Sequence, residues 1–242
     1  MELFAFAAAL LPAVLLWLYI YRQDTRPEPM NRLVKAVFWG VAICIPVSFV
    51  EQAISSVLFG DGGQPVDLID TTIDAFFVAA LPEESFKLLA LWLVLRKNPY
   101  FDEHFDGIVY AVSVGLGFAA IENIFYVLDE EGDWMGVAIA RALLAVPGHY
   151  AFAVLMGYYY SVYHFVHRSP KTAACILFVP VLAHGIYDAF ALSSSVNPYI
   201  GGLGFFALIY FCVKMHKYTR NKMLAQIEKD KKKSTNDWEL RI

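Results

Sequence analysis

Charged residues are scarce in this chain. Asp, Glu, Lys and Arg make up 17% of its 242 residues, against 58% hydrophobic ones, a balance that leaves too little polar surface for a soluble domain of this size. Long polar stretches are missing too, so no separate soluble domain can be accommodated. Cysteine is limited to Cys44, Cys175 and Cys212, all inside apolar runs and without paired spacing. That excludes a disulfide framework or a thiolate zinc site and leaves them as small packing residues. Three hydrolase signatures are absent as well: the H-E-x-x-H zinc helix, the G-x-S-x-G nucleophile elbow and a G-x-G-D aspartyl motif.

What the chain does contain is long apolar runs. About seven of them approach the ~20 residues that cross a bilayer, at roughly 3–21, 36–58, 72–95, 105–128, 137–163, 172–193 and 199–215. The expected fold is an all-α, polytopic membrane bundle of about seven transmembrane helices. Residues 1–216 form the transmembrane domain and 217–242 a basic tail. The first run has no basic residue ahead of it and no small-residue cleavage site, so it reads as a permanent span rather than a secretion signal.

Basic residues set the expected orientation. Arg22, Arg26, Arg32 and Lys35, then Arg96 and Lys97, then Arg168 and Lys171, then the tail from Lys214 alternate with acidic or neutral connections. The acidic ones carry Asp61, Asp67 and Asp70, and later Asp129, Glu130, Glu131 and Asp133. All Lys and Arg except Lys87 and Arg141 therefore fall on one side, which puts the N-terminus outside and the C-terminus in the cytoplasm. The tail, short of apolar periodicity, reads as disordered or weakly helical. Its Lys229 and Lys231 to Lys233 suit a topology anchor or anionic lipid head groups rather than nucleic acid.

Inside these runs sit Glu83, Glu84, Lys87, Glu122, His149 and His184. An ionisable group at mid-membrane costs ~2 to 4 kcal/mol on insertion scales, so such groups mark function by default. On a helix Glu83 and Lys87 are i,i+4 and Glu84 and Lys87 i,i+3, so one ammonium reaches both carboxylates. A buried ion pair that only fixes packing accounts for one glutamate and the lysine. It leaves the second carboxylate with its desolvation cost unexplained. Because adjacent residues point about 100° apart, Glu83 is assigned to chemistry and Glu84 to orientation.

Gly107, Ala111, Gly115 and Ala119 form a small-residue stripe that lets α-helices approach closely, bringing Glu122 and Asn123 toward the bundle interior. His184 and Asp188 are i,i+4, a spacing at which a carboxylate can orient an imidazole. Pro82, Pro147 and Pro180 each precede a polar motif by less than a turn, and proline opens the turn before it. Glu51 and Arg141 fall near outer helix ends, where snorkelling and pairing with outer-loop acids account for them.

Such a set permits hydrolysis, with a carboxylate activating water and imidazole, Asn or Asp steadying an oxyanion. No cofactor is expected. Zinc is the alternative, with Glu83, Glu122, His149 and His184 as ligands of the right types, although Lys87 in their midst opposes a dication. A proton-coupled transporter also places acids and histidines at midplane, but no internal repeat supports one. The remaining alternative is a noncatalytic scaffold of similar fold.

The motifs themselves resemble a family. Pro82-Glu83-Glu84-Ser85-Phe86-Lys87 is similar to the E-E-x-x-K motif of PrsW-type intramembrane proteases, and Phe105-Asp106-Gly107 through Phe118-Ala119-Ala120-Ile121-Glu122-Asn123 to their second motif. Asp24-Thr25-Arg26-Pro27-Glu28-Pro29 is similar to the family's charged Pro-Glu-Pro segment, and His184-Gly185-Ile186-Tyr187-Asp188 to its H-x-x-x-D element. In the related CAAX prenyl endopeptidase and bacteriocin-processing group the corresponding pattern is F-x-x-x-H and H-x-x-x-N. Here Glu122 and Asp188 stand in those places, so that group's substrate preference is not carried over. The resemblance implies a multi-pass, glutamate-type protease of a bacterial cell membrane. It also implies a single-span partner, an anti-sigma factor, cut first near the outer face.

Overall fold

The computed structural model describes residues 2–129 and 132–239; Glu130 and Glu131 of the acidic connection and residues 240–242 of the tail lie outside them. Among the described residues there is no strand. The helices are α1 (Glu2–Gln23), α2 (Met30–Phe59), α3 (Leu68–Ile73), α4 (Leu81–Leu95), α5 (Asp106–Asp129), α6 (Trp134–Ala140), α7 (Val146–Ser161), α8 (Pro170–Ala191) and α9 (Pro198–Glu239). Wider π-helical turns at Asp74–Ala80 and Arg141–Ala145 join α3 to α4 and α6 to α7 without a break.

Among the described residues six helical stretches are long and apolar enough to cross a membrane: Phe4–Gln23, Met30–Phe59, Asp106–Asp129, Trp134–Val166, Pro170–Ser194 and Tyr199–Lys233. The third expected segment, 72–95, is helical throughout as well, but Asp74, Glu83, Glu84 and Lys87 make it the most charged of the seven. The protein is thus a polytopic helical bundle. Phe38, Phe49, Phe178 and Phe206 stand exposed on its flanks, as side chains facing lipid do.

At the centre lies α5, buried without interruption from Asp106 to Ala119 and packed against α7, α2 and α1. Its small residues permit this. A Cβ on Gly157 of α7 would overlap the Gly107 carbonyl, and one on Gly115 would press on Ala153. The stripe expected from sequence therefore faces α7.

Helix ends are fixed by short polar side chains: Asp67 accepts from Ile69 and Asp70 N–H at the start of α3, Asp133 from Gly136 N–H at α6, and Ser169 from Thr172 N–H at α8. At one end of the bundle the connections carrying the basic residues meet. Arg26 pairs with Glu103, Phe101 packs on His164 and Phe165, and Asp230 of α9 accepts from the His104 and Phe105 N–H groups at 2.9 and 2.8 Å.

The tail departs from expectation. α9 runs through residue 217 as one helix, and Met223, Gln226, Ile227 and Asp230 are buried along one face. Half of that face is polar, which is why no apolar period shows in the sequence; Asp230 is held by backbone donors rather than by apolar contact. Its 42 residues span about 63 Å, twice the hydrocarbon thickness.

Candidate active site

The site grows from the first turn of α4. Proline at position 82 cannot donate its helical hydrogen bond, and the wider turn of Asp74–Ala80 immediately before it absorbs the mismatch. Turns of this kind recur at functional sites. Pro147 stands in the same relation to Arg141–Ala145, whereas Pro180 lies in an unbroken stretch of α8.

On α4 the expected i,i+3 and i,i+4 geometry is realised. Lys87 Nζ donates to Glu83 Oε2 and to Glu84 Oε1, each at 2.8 Å. It also lies 3.2 Å from His149 Nδ1 and 4.3 Å from the centre of the Phe118 ring. Glu84, Glu83 and Lys87 are all buried, and Glu84 Oε2 has no partner.

Two other packing contacts complete the cluster. Close approach of α5 to α7 sets Glu122 Oε2 2.6 Å from His149 Nε2, so the imidazole bridges Lys87 and Glu122. Against the wide turn, Gly185 of α8 fits under the Phe76 ring, where any Cβ would collide. That contact seats His184 with Nδ1 3.0 Å from Glu84 Oε1 and Nε2 3.2 Å from Asp188 Oδ2. The His184 ring stacks on Phe152 at 4.6 Å and meets the His149 ring at 5.3 Å. All seven residues singled out from sequence, Glu83, Glu84, Lys87, Glu122, His149, His184 and Asp188, are thus joined in one network contributed by α4, α5, α7 and α8.

Two cavities open onto this network. One of about 440 Å³ is lined by Glu83, Glu122, His149, His184 and Asp188; a second of about 300 Å³ lies between α2 and the wide turn. Glu83 and Glu122 border both, and neither Glu84 nor Lys87 borders either. Of the two adjacent glutamates, Glu83 faces open space and Glu84 is sealed behind it.

Two residues that the sequence assigns to outer helix ends also face this site. Arg141 Nη2 lies 3.2 Å from Glu122 Oε2, and its Nε donates to Asn123 Oδ1 at 2.6 Å. The wide turn at 141–145 changes the helical phase and turns the guanidinium inward. Glu51 borders the second cavity together with Glu83. Asp74 also borders both cavities; its one sequence signal is a charge at the third position of the apolar run 72–95.

Glu83, His149 and His184 each offer one ligand atom, all within 4.8 Å of one another. Two imidazoles and a carboxylate are a donor set that holds catalytic zinc, so these residues fit a metal ion. Glu122, the fourth expected ligand, stands beyond them on the far nitrogen of His149. The Lys87 ammonium already supplies a positive charge to the same carboxylate.

Comparison with known proteins agrees with this geometry. Residues 28–215 match the family described as "PrsW family intramembrane metalloprotease". Protease PrsW of Oceanobacillus iheyensis is 36% identical over 183 residues, covering 75% of this chain and 80% of the relative. Protease PrsW of Geobacillus kaustophilus is 33% identical over 216 residues, with 88% and 91% covered, and that of Bacillus subtilis 32% over 229 residues, with 91% and 98%. No solved structure matches the chain. A match across nearly the whole helical bundle, network included, leaves one assignment: the chain is a peptidase belonging to the PrsW family of intramembrane proteases.

Proposed function

We propose that this protein hydrolyses a peptide bond of a single-span membrane protein, an anti-sigma factor being the expected class, with water activated by Glu83. The observation that carries the reading is the contrast within one pair: Glu83 borders both cavities while Lys87 holds it in place, and Glu84 reaches neither.

Glu83 takes a proton from a water in the larger cavity, and the hydroxide adds to the scissile carbonyl carbon. His184 and His149, each with a ring nitrogen within 4.8 Å of a Glu83 carboxylate oxygen, steady the developing oxyanion, and the proton held by Glu83 passes to the departing amine as the C–N bond breaks. Lys87 keeps the two carboxylates apart in charge and fixed in direction; Asp188 and Glu122 orient the histidines. A dication held by Glu83, His149 and His184 supplies a polarised water when bound, and the compactness of that triad favours this as the second reading.

Position along the helices supports a cut near the outer face. From Glu83 to Arg96 α4 rises about 20 Å, and from Asp106 to Glu122 α5 rises about 24 Å, in a hydrocarbon layer of about 30 Å. With the basic end in the cytoplasm, the orientation that the distribution of Lys and Arg favours, the network lies in the outer half of the membrane. We place the protein in a bacterial cytoplasmic membrane accordingly.

The test is reconstitution with a single-span substrate, wild type against Glu83→Gln, with and without chelator. Cleavage lost in Glu83→Gln and retained with chelator supports carboxylate activation. Cleavage lost with chelator and restored by zinc replaces it with the metal reading. Cleavage by Glu83→Gln at the wild-type rate overturns both.

A further inference from the structure

A second buried acidic cluster lies far from the network, where the basic connections meet. Asp24 comes from the connection between α1 and α2, Glu103 from that between α4 and α5, and Asp106 from the first turn of α5. Each offers one carboxylate oxygen, and the three oxygens lie within 4.8 Å of one another. Asp24 is 7% exposed, Glu103 3% and Asp106 fully buried.

Their existing partners do not account for all of them. Asp24 Oδ1 accepts from Arg26 N–H at 2.9 Å, and Asp106 Oδ2 from the Asp102 and Glu103 N–H groups at 3.0 and 2.7 Å. The other oxygen of each, Asp24 Oδ2 and Asp106 Oδ1, is buried with no hydrogen-bond partner. Arg26 pairs with Glu103 alone, its own side chain being more than half exposed, and the nearby Glu28 accepts from the Tyr110 hydroxyl. The Arg26 guanidinium thus pairs with one of four neighbouring carboxyl groups, those of Asp24, Glu28, Glu103 and Asp106.

An unpartnered buried carboxylate oxygen is costly, and two of them on converging side chains with a third carboxylate alongside make a hard-oxygen donor set. We infer that Asp24, Glu103 and Asp106 bind a divalent hard cation, Ca²⁺ or Mg²⁺, which clamps the α1–α2 connection to the start of α5. Both ions take carboxylate and water oxygens, and Mg²⁺ in particular keeps several waters beside one or two carboxylates. The clamp is structural: it stands at the opposite end of α5 from Glu122 and takes no part in hydrolysis. Asp230, which holds the His104 and Phe105 N–H groups next to it, extends the same tie to α9.

The experiment uses the full chain in detergent, stripped with chelator, carrying His149→Ala and His184→Ala so that the Glu83 triad cannot bind metal. Mn²⁺ is the probe. The expected result is one Mn²⁺ bound per chain by the loss of its free spin-resonance signal, displaced by Ca²⁺ or Mg²⁺. A rise in the unfolding midpoint on the order of 5 to 10 °C is expected at a cation concentration a hundred times the dissociation constant. Asp24→Asn and Asp106→Asn should each abolish both; the asparagine at 106 keeps an acceptor for the Asp102 and Glu103 N–H groups of the preceding connection, so folding is preserved. No bound Mn²⁺ in the double-histidine background overturns the inference. So does binding that survives both asparagine substitutions together.

Discussion

His184 Nδ1 stands 3.0 Å from Oε1 of Glu84, a hundred residues earlier in the chain. That same oxygen accepts from Lys87 at 2.8 Å, so a single atom of Glu84 ties α8 to α4. Removing the charge of Glu84 therefore weakens two interactions at once, while removing that of Glu83 weakens one. Glu84→Gln should lower stability by about 3 to 5 kcal/mol, the range for losing one partner of a buried pair, and Glu83→Gln by less. Activity should order the other way, with Glu83→Gln reducing cleavage by roughly 10²- to 10⁴-fold, the scale of a lost general base. Thermal unfolding in detergent and substrate cleavage, measured on the same preparations, separate the two; equal loss of stability in both variants would contradict the division of labour.

Lys87 is the one ammonium in contact with both glutamates. Lys87→Met keeps the volume of the side chain but leaves two buried carboxylates side by side, and should cost about 3 to 5 kcal/mol. Glu83→Gln or Glu84→Gln added to Lys87→Met removes one of the repelling charges, so each double variant should be more stable than Lys87→Met alone. Such a double-variant cycle reads the coupling directly. A double variant less stable than Lys87→Met shows that the lysine's role is packing rather than charge.

Local helical spacing made part of this network legible. Glu83, Glu84 and Lys87 share α4, and His184 and Asp188 share α8, so their contacts follow from periods of three and four residues. Glu122 to His149 is a different matter. The contact depends on Gly107, Gly115 and Gly157 letting α5 and α7 touch, and the glycines show that two helices approach without showing which two. The contacts of Arg141 with Glu122 and Asn123 are not legible in the sequence because a wide turn shifts helical phase, and nothing in Arg141–Ala145 announces that turn except the proline two residues later. In α9 the buried face mixes Gln226 and Asp230 with Met223 and Ile227, and a half-polar face leaves no hydrophobic period to detect. The apolar runs themselves were plain, because a bilayer imposes a length that few other environments do.

Arg141 gives a prediction that sequence alone would not have motivated. Its guanidinium approaches Glu122 at 3.2 Å and donates to Asn123, holding the carboxylate that in turn meets His149. Arg141→Ala should reduce cleavage by roughly 10- to 100-fold, as loss of a residue that orients a metal-binding or proton-transferring histidine does, and Arg141→Lys should recover part of it. The measurement is kcat and KM for the reconstituted protein. Unchanged kcat with raised KM would instead assign Arg141 to substrate contact in the larger cavity that it borders.

Packing can be tested without touching an ionisable group. Any side chain at Gly157 meets the Gly107 carbonyl and the Ile108 Cα, and backbone cannot step aside as a flexible side chain can, so Gly157→Val must part α5 from α7 at that level. Eight residues along α7, His149 would then draw back from Glu122, and a displacement of about 1 Å in a catalytic constellation costs on the order of 10²-fold in rate. Gly202 of α9 is the control, for a Cβ there meets nothing within 4 Å, and alanine favours a helix over glycine by about 1 kcal/mol. The expected pattern is cleavage lowered at least 100-fold in Gly157→Val, with the helical circular-dichroism signal retained, and wild-type cleavage in Gly202→Ala. Full activity in Gly157→Val would mean that the contact between Glu122 and His149 does not depend on the α5–α7 seam, and the origin of the site's geometry would then have to be sought in α8 and its fit against Phe76.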